Sequence, residues 1–99
     1  MTHTRQHHYV TLAPRADQID AARDLLERCA KQVALKQSEN GPTSWCACYD
    51  EHKKVFVVAA LFPSQEAVAF HQANIQSLLR EFGPMMAAPP ETTIQRVFA

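Results

Sequence analysis

The sequence has little of what marks a linker-rich or nucleic-acid-binding protein. Only 2 of its 99 residues are glycine, which argues against a low-complexity chain. Ten basic and ten acidic side chains cancel to a net charge of zero, so we expect neither a nucleic-acid partner nor attraction to an anionic membrane. No apolar run approaches the roughly 20 residues that a membrane-spanning helix needs.

Several sequence signals of location and chemistry are also missing. Residues 1–6 are mostly polar, so we expect no signal peptide, and we interpret the three cysteines as reduced thiols of a cytoplasmic protein. There is no glycine-rich phosphate loop, nucleophile elbow or pair of catalytic carboxylates. The sequence therefore gives no support to phosphoryl-transfer, hydrolase or glycosidase activity. At this length, we expect residues 1–99 to form a single domain.

The stretch Val55–Phe62 is the strongest structural signal in the chain. It has eight consecutive apolar residues and no polar alternation, which predicts a strand buried on both faces. Helices of the same chain can cover only one of those faces. The simplest cover for the other face is a second copy of the protein, so we expect a homodimer formed through the sheet.

The rest of the pattern predicts an α+β, ferredoxin-like domain with the order βαββαβ. Strands are expected over residues 7–13, 43–49 and 92–98, and helices over 17–37 and 65–82. Asp17 is the expected N-cap of the first helix and Ser64 that of the second. This order predicts a four-stranded antiparallel sheet with both helices on one face.

The second helix carries the best candidate site. His71 and Asn74 interrupt its apolar stripe, and a polar group that faces a sheet must find a partner or line a cavity. The functional interpretation is a pocket for an aromatic or quinone-like ligand; the alternative is that His71 forms a local hydrogen bond and packs. Trp45 and Tyr49 share one strand face and wall either this pocket or the dimer core.

Other candidate groups carry weaker signals. Cys46 and Cys48 lack a second cysteine pair, so we interpret them as buried structural thiols. The histidines at positions 3, 7 and 8 could catch a metal, but we interpret them as solvated and predict no metal site. Arg96 could bind an anionic substrate or lie at the dimer edge, and the sequence does not decide between the two.

Three short motifs resemble one known family. They are Glu39-Asn40-Gly41 before the second strand, Tyr49-Asp50 at its end, and the stretch from Leu61 to His71. Together they are similar to the antibiotic biosynthesis monooxygenase-like domains, which form dimeric α+β barrels. The chain departs from the family at two positions, where Ala60 replaces the usual glutamate and Phe62 the usual tryptophan.

The resemblance implies a cofactor-independent monooxygenase acting on a small aromatic or quinone-type compound. The substrate's own enolate or phenolate would donate an electron to dioxygen, with no metal, flavin or haem. In that mechanism His71 is the base, Asn74 or Tyr49 steadies the oxyanion, and the substrate contacts are as follows: Trp45, Phe62 and Arg96.

Two other interpretations remain open at the level of the sequence. One is a non-catalytic dimeric α+β barrel that binds a small hydrophobic ligand or serves as a stress-related module. The other is a haem-degrading enzyme, which needs a haem-sized space and a proximal ligand. The sequence names neither the substrate nor any assembly beyond a dimer, and activity itself is undecided.

Overall fold

The computed structural model describes residues 4–99, so His3 lies outside the described part. In chain order the elements are β1 (Gln6–Leu12), a 3-10 turn (Ala16–Gln18), α1 (Ile19–Leu35), β2 (Ser44–Asp50), β3 (Val55–Phe62), α2 (Gln65–Leu79), a second 3-10 turn (Gly83–Met85) and β4 (Glu91–Arg96). Among the described residues, no helix combines the length and the apolar character that crossing a membrane requires.

The four strands form one antiparallel sheet in the order β2-β3-β1-β4. Buried residues of α1 pack against Leu12 and Phe56, while those of α2 pack against Ala60 and Phe62. The strand register places all four of these sheet residues on the same face. Both helices therefore cover one face, and the predicted α+β, ferredoxin-like arrangement is confirmed.

The two helices begin differently. At α2, the Ser64 hydroxyl accepts a hydrogen bond from the backbone N–H of Ala67 at 3.2 Å, which confirms the predicted N-cap. At α1, the prediction that Asp17 caps the helix is wrong. Asp17 lies inside the 3-10 turn, and Gln18 occupies the N-cap position without a side-chain hydrogen bond. The 3-10 turn ends at Gln18, and α1 begins at the next residue, Ile19.

The sheet has two unlike faces, which we call the helix-side face and the outer face. On β3 the helix-side residues Phe56, Ala60 and Phe62 are buried, and the outer residues Val57 and Ala59 are only half-buried. The helix-side face consists of Gln6, His8, Val10, Leu12, Trp45, Ala47, Tyr49, Phe56, Val58, Ala60, Phe62, Thr92, Ile94 and Arg96. The outer face consists of His7, Tyr9, Thr11, Ser44, Cys46, Cys48, Asp50, Val55, Val57, Ala59, Leu61, Glu91, Thr93 and Gln95.

This register decides two points that the sequence alone did not. Trp45 pairs with Ala60 and Tyr49 pairs with Phe56, so both aromatic side chains lie on the helix-side face. Cys46 and Cys48 lie on the outer face of an edge strand and are exposed, so the prediction that they are buried is wrong. The sequence does not show that β2 is an edge strand, nor that these two cysteines face away from the helices.

Candidate functional site

A cavity of about 340 Å³ lies between the helix-side face of the sheet and the two helices. Its lining is mostly apolar and includes Trp45, Ala60 and Phe62 from the sheet and Ile75 from α2. Ala60 pairs with His8 on one neighbouring strand and with Trp45 on the other. Its methyl group fills little space between two larger rings, which leaves room for a small molecule over the centre of the sheet.

His71 places a polar group against this apolar lining. It projects from the buried side of α2, where Ala67 and Ile75 are its apolar neighbours on the helix. Within residues 4–99 it is the one polar side chain that is buried, with 9% of its surface exposed. No group in this described part of the chain forms a hydrogen bond with its Nδ1 atom. Because an unpaired buried polar atom costs roughly 1–3 kcal/mol, a ligand that hydrogen-bonded to this nitrogen would gain affinity.

Burial also controls the charge of His71. It lowers the pKa of the imidazole to about 4, and the neighbouring His8 adds a smaller effect in the same direction. The ring is therefore neutral at pH 7, with one nitrogen protonated and the other able to accept a proton or a hydrogen bond. A neutral imidazole in an apolar cavity suits a polar but uncharged group such as a phenol.

Phe62 contacts imidazole rings from two elements. Its ring centroid lies 5.2 Å from that of His71, and the planes meet at 61°. It also lies 4.7 Å from the ring of His8 on β1, at 62°. These edge-to-face contacts fix the three rings relative to one another. His8 therefore belongs to the cavity lining, and sequence reasoning missed it because the position was interpreted as solvated.

The predicted site residues divide into two groups. His71, Trp45 and Phe62 all line the cavity. Asn74 lies between the helices, where its Oδ1 accepts a hydrogen bond of 2.7 Å from Gln32 Nε2 and its Nδ2 donates to the Gln32 carbonyl. Its polar atoms thus join α2 to α1 and do not face the cavity.

Tyr49 and Arg96 also lie away from the cavity lining. The Tyr49 ring packs on Phe56 with centroids 4.7 Å apart, and the Arg23 guanidinium carbon lies 5.3 Å from its centroid. This cluster borders a second hollow of about 390 Å³ between α1 and β2. Arg96 is exposed at the end of β4. The positions predicted to steady an oxyanion therefore do not converge on His71.

Metal-binding groups do not cluster in the described part of the chain. Residues 4–99 contain no set of three or more histidine, cysteine or acidic side chains positioned to hold an ion. His8 and His71 both line the cavity, and the third potential ligand there, Cys29, is a buried thiol whose pKa burial raises to about 11. The lining is therefore better suited to an organic ligand than to a cation.

The fold is shared with several solved structures of low sequence identity. A provisionally assigned antibiotic biosynthesis monooxygenase from Caulobacter crescentus superposes with a TM-score of 0.85 at 18% identity, covering 98% of this chain and 92% of that one. One of the same description from Nitrosomonas europaea gives 0.80 at 15% identity, covering 96% and 91%. The Rv0793 protein of Mycobacterium tuberculosis gives 0.82 at 16% identity, covering 96% of both chains.

The sequence itself matches no protein-family model and no curated protein. The structural likeness extends over nearly the whole chain, including the sheet and both helices that enclose the cavity. The predicted resemblance is therefore confirmed at the level of the fold, which is that of the antibiotic biosynthesis monooxygenase-like domains.

Proposed function

We propose that the cavity binds a small aromatic or quinone-type compound and that the protein oxidises it with dioxygen, without a cofactor. The observation that carries this proposal is the unpaired Nδ1 of His71, buried beside a mostly apolar cavity of about 340 Å³. A ring compound would fill the apolar space beside Trp45 and Phe62, and its hydroxyl would supply the missing hydrogen bond. The shared fold supports the general class of reaction.

The proposed reaction requires the protein to provide deprotonation, orientation and a dry environment. His71 takes a proton from the substrate hydroxyl or enol, and the anion donates electrons to dioxygen. Beside that anion the pKa of the imidazolium rises, because opposite charges stabilise each other. For a phenol or naphthol, the substrate plus O₂ gives the quinone plus H₂O: the ring system loses four electrons, dioxygen gains four, and the hydroxyl hydrogen and one ring C–H hydrogen leave in the water.

A second candidate function is ligand binding without catalysis. Two features favour it: the pKa of about 4 makes His71 a weak base in the empty cavity, and neither Asn74 nor Tyr49 lines the cavity to stabilise an oxyanion. Such a protein would bind the same class of ring compound and leave it unchanged. The two candidates therefore differ in oxygen consumption and agree in affinity.

The deciding experiment measures anaerobic binding and aerobic oxygen uptake with a panel of phenols and naphthols. We expect wild type to bind naphthols and consume oxygen with formation of an oxygenated product, and His71→Phe to lose most of both. The matched control is His52→Phe, which makes the same change at an exposed histidine in the β2–β3 turn. Binding without oxygen uptake would establish the second candidate, and absence of binding would refute both.

We also propose that a second copy of this chain covers the outer face of the sheet. The centre of that face is apolar and uncharged, with Val57, Ala59 and Leu61 half-buried; its two carboxylates, Asp50 and Glu91, lie at the ends of their strands. A two-fold interface must be complementary to itself, and a face without like charges at its centre meets that requirement. Covering it would also bury the side chains of β3 that the helices do not reach.

Sedimentation equilibrium at micromolar concentration tests this interface. We expect wild type to have twice the mass of the chain and Val57→Lys to sediment as a folded monomer, because two lysines would be buried close together. Ala69→Lys adds the same charge at an exposed position on α2 and should remain dimeric. A wild-type protein that is a stable folded monomer at these concentrations would refute the proposal.

A further inference from the structure

We propose that His8 is a second specificity-determining residue of the cavity, selecting ligands that bring a hydrogen-bond donor to its Nδ1 atom. Resting on the function proposed above, this inference adds a group that the His71 hypothesis does not use. His8 lines the cavity from β1, on the opposite layer from His71. Its ring lies against the same phenylalanine, Phe62, at a centroid distance of 4.7 Å.

A short hydrogen-bond chain fixes the orientation of the His8 ring. Gln6 Nε2 donates to Gln65 Oε1 at the start of α2, at 3.1 Å. Because the amino group of Gln6 is bonded to Gln65, its Oε1 faces the other way and lies 2.9 Å from His8 Nε2. The chain links β1 to α2, so it holds the imidazole in place from outside the apolar part of the cavity.

The same chain assigns the tautomer of His8. In this orientation of the Gln6 amide, the oxygen that faces the imidazole can only accept a hydrogen bond, so we infer that His8 Nε2 carries the hydrogen. Partial burial lowers the pKa of His8 and favours the neutral ring. In a neutral ring with hydrogen on Nε2, Nδ1 is a bare acceptor. A ligand therefore gains affinity at His8 by donating a hydrogen bond, as a hydroxyl does and an ether cannot.

Two imidazoles on different layers of one cavity favour a ligand with polar groups at two points of its ring system. On the helix layer, the buried Nδ1 of His71 has no partner among residues 4–99. On the sheet layer, Gln6 occupies Nε2 of His8, which leaves Nδ1 as the acceptor of that ring. Trp45 and Ala60 provide apolar surface near them. The ligand group that meets His8 must be a hydrogen-bond donor. A residue that only packed against the ligand would not select for a donor.

The test compares two probes that differ at one oxygen: 1,4-dihydroxynaphthalene and 4-methoxy-1-naphthol, titrated anaerobically by calorimetry. We expect wild type to bind the diol about tenfold more tightly than the methoxy compound. A tenfold ratio of affinities corresponds to the upper end of the usual net free energy of one hydrogen bond. His8→Phe keeps the ring but removes the acceptor, so it should bind the two probes equally. His52→Phe is the matched control and should retain the tenfold preference.

Imidazole nitrogen NMR gives an independent measurement of the tautomer. We expect the Nε2–H form of His8 in wild type, and in Gln6→Leu a larger share of the Nδ1–H form together with a smaller preference for the diol. A wild-type Nδ1–H tautomer would overturn the inference. So would a preference for the diol that survived in His8→Phe, although the proposed function would then stand. If neither probe bound to wild type, the proposed function would fail and the inference with it.

Discussion

The two faces of the sheet have similar apolar content on β3 but very different surroundings. Phe56 and Phe62, which point to the helices, are 3% and 2% exposed, whereas Val57, Ala59 and Leu61, which alternate with them, are only half-buried. One uninterrupted apolar run therefore supplies a packed core on one side and an uncovered surface on the other. Hydrophobicity along a strand reports what must be buried, but not which part of the assembly buries it.

The faces also differ in how they treat polar groups. On the outer face, His7 Nδ1 lies 2.8 Å from the Tyr9 hydroxyl, so each of these two polar groups has the other as its hydrogen-bond partner. On the helix side, the buried Nδ1 of His71 has no hydrogen-bond partner among the described residues 4–99. An unsatisfied group in a packed layer is costly, and its presence beside a cavity is the feature that makes this face the candidate functional one.

The largest difference between the faces is expected in the stability of paired alanine substitutions. Phe62→Ala removes a fully buried ring and should lower the free energy of unfolding by roughly 3–5 kcal/mol. Leu61→Ala, its neighbour on the outer face, should cost about 1 kcal/mol at concentrations where the chain is monomeric. Urea unfolding at low protein concentration measures both values. Equal losses would show that the two faces are buried to the same extent.

The pH dependence of stability tests the burial of His71. In the folded protein its pKa is about 4, below the ordinary value of 6.5, so the unfolded chain binds more protons between these pH values. Stability should therefore rise with pH from about 4 to 6.5. Acidification through this window should cost wild type on the order of 3 kcal/mol from this group.

His71→Phe isolates that contribution, because it keeps an aromatic ring in the cavity lining and removes the titrating group. Its free energy of unfolding should vary less between pH 4 and 6.5 than that of wild type. The measurement is urea unfolding at several pH values within the window. If variant and wild type had the same pH profile, His71 would not be buried in the neutral form.

The smallest effect is expected in thiol reactivity, which compares the outer face with the core packed against the helix-side face. Cys46 and Cys48 on the outer face are exposed, whereas Cys29 on α1 is buried and its pKa is raised to about 11. At pH 8 the Cys29 thiolate is roughly 100-fold scarcer than that of a thiol with the ordinary value of 9, so Cys29 should react at least that much more slowly. Labelling with a chromogenic disulfide should show two thiols that react fast, Cys46 and Cys48, and one that reacts slowly, Cys29.

The same assay sharpens the comparison when protein concentration is varied. If a second copy covers the outer face, Cys46 and Cys48 should be protected as the dimer forms, while the rate at Cys29 should stay constant. In urea all three thiols should react together, which controls for intrinsic reactivity. Three equal rates in the native protein would contradict the placement of Cys29 in the core and of Cys46 and Cys48 on the outer face.

The sequence predicted much of the fold and part of the candidate site. Val55–Phe62 forms β3 with the bounds that its apolar run indicated, and Ser64 caps α2. His71, Trp45 and Phe62 were selected from helical spacing and from resemblance, and all three line the cavity. These signals are local, since the residues that form a helix cap or an apolar stripe are close together in the sequence.

The differences between the predicted and the observed placement of site residues have a common physical cause. Asn74 was grouped with His71 because both fall on one helical stripe, yet it bonds to Gln32, which is 42 residues away in the chain. His8 was interpreted as solvated, and only the pairing of β1 with β3 brings it to Phe62. A helical face covers a wide arc, and contacts between distant segments decide which part of that arc meets the cavity.

By itself, then, the amino-acid sequence determined the order of the elements, the apolar strand at the centre of the fold and the histidine on α2. The tertiary structure alone decided which sheet face the helices cover, that Trp45 lies on that face, and that His8 shares Phe62 with His71. The reason is that periodicity fixes which side chains share a face, whereas strand register and helix packing determine what each face meets.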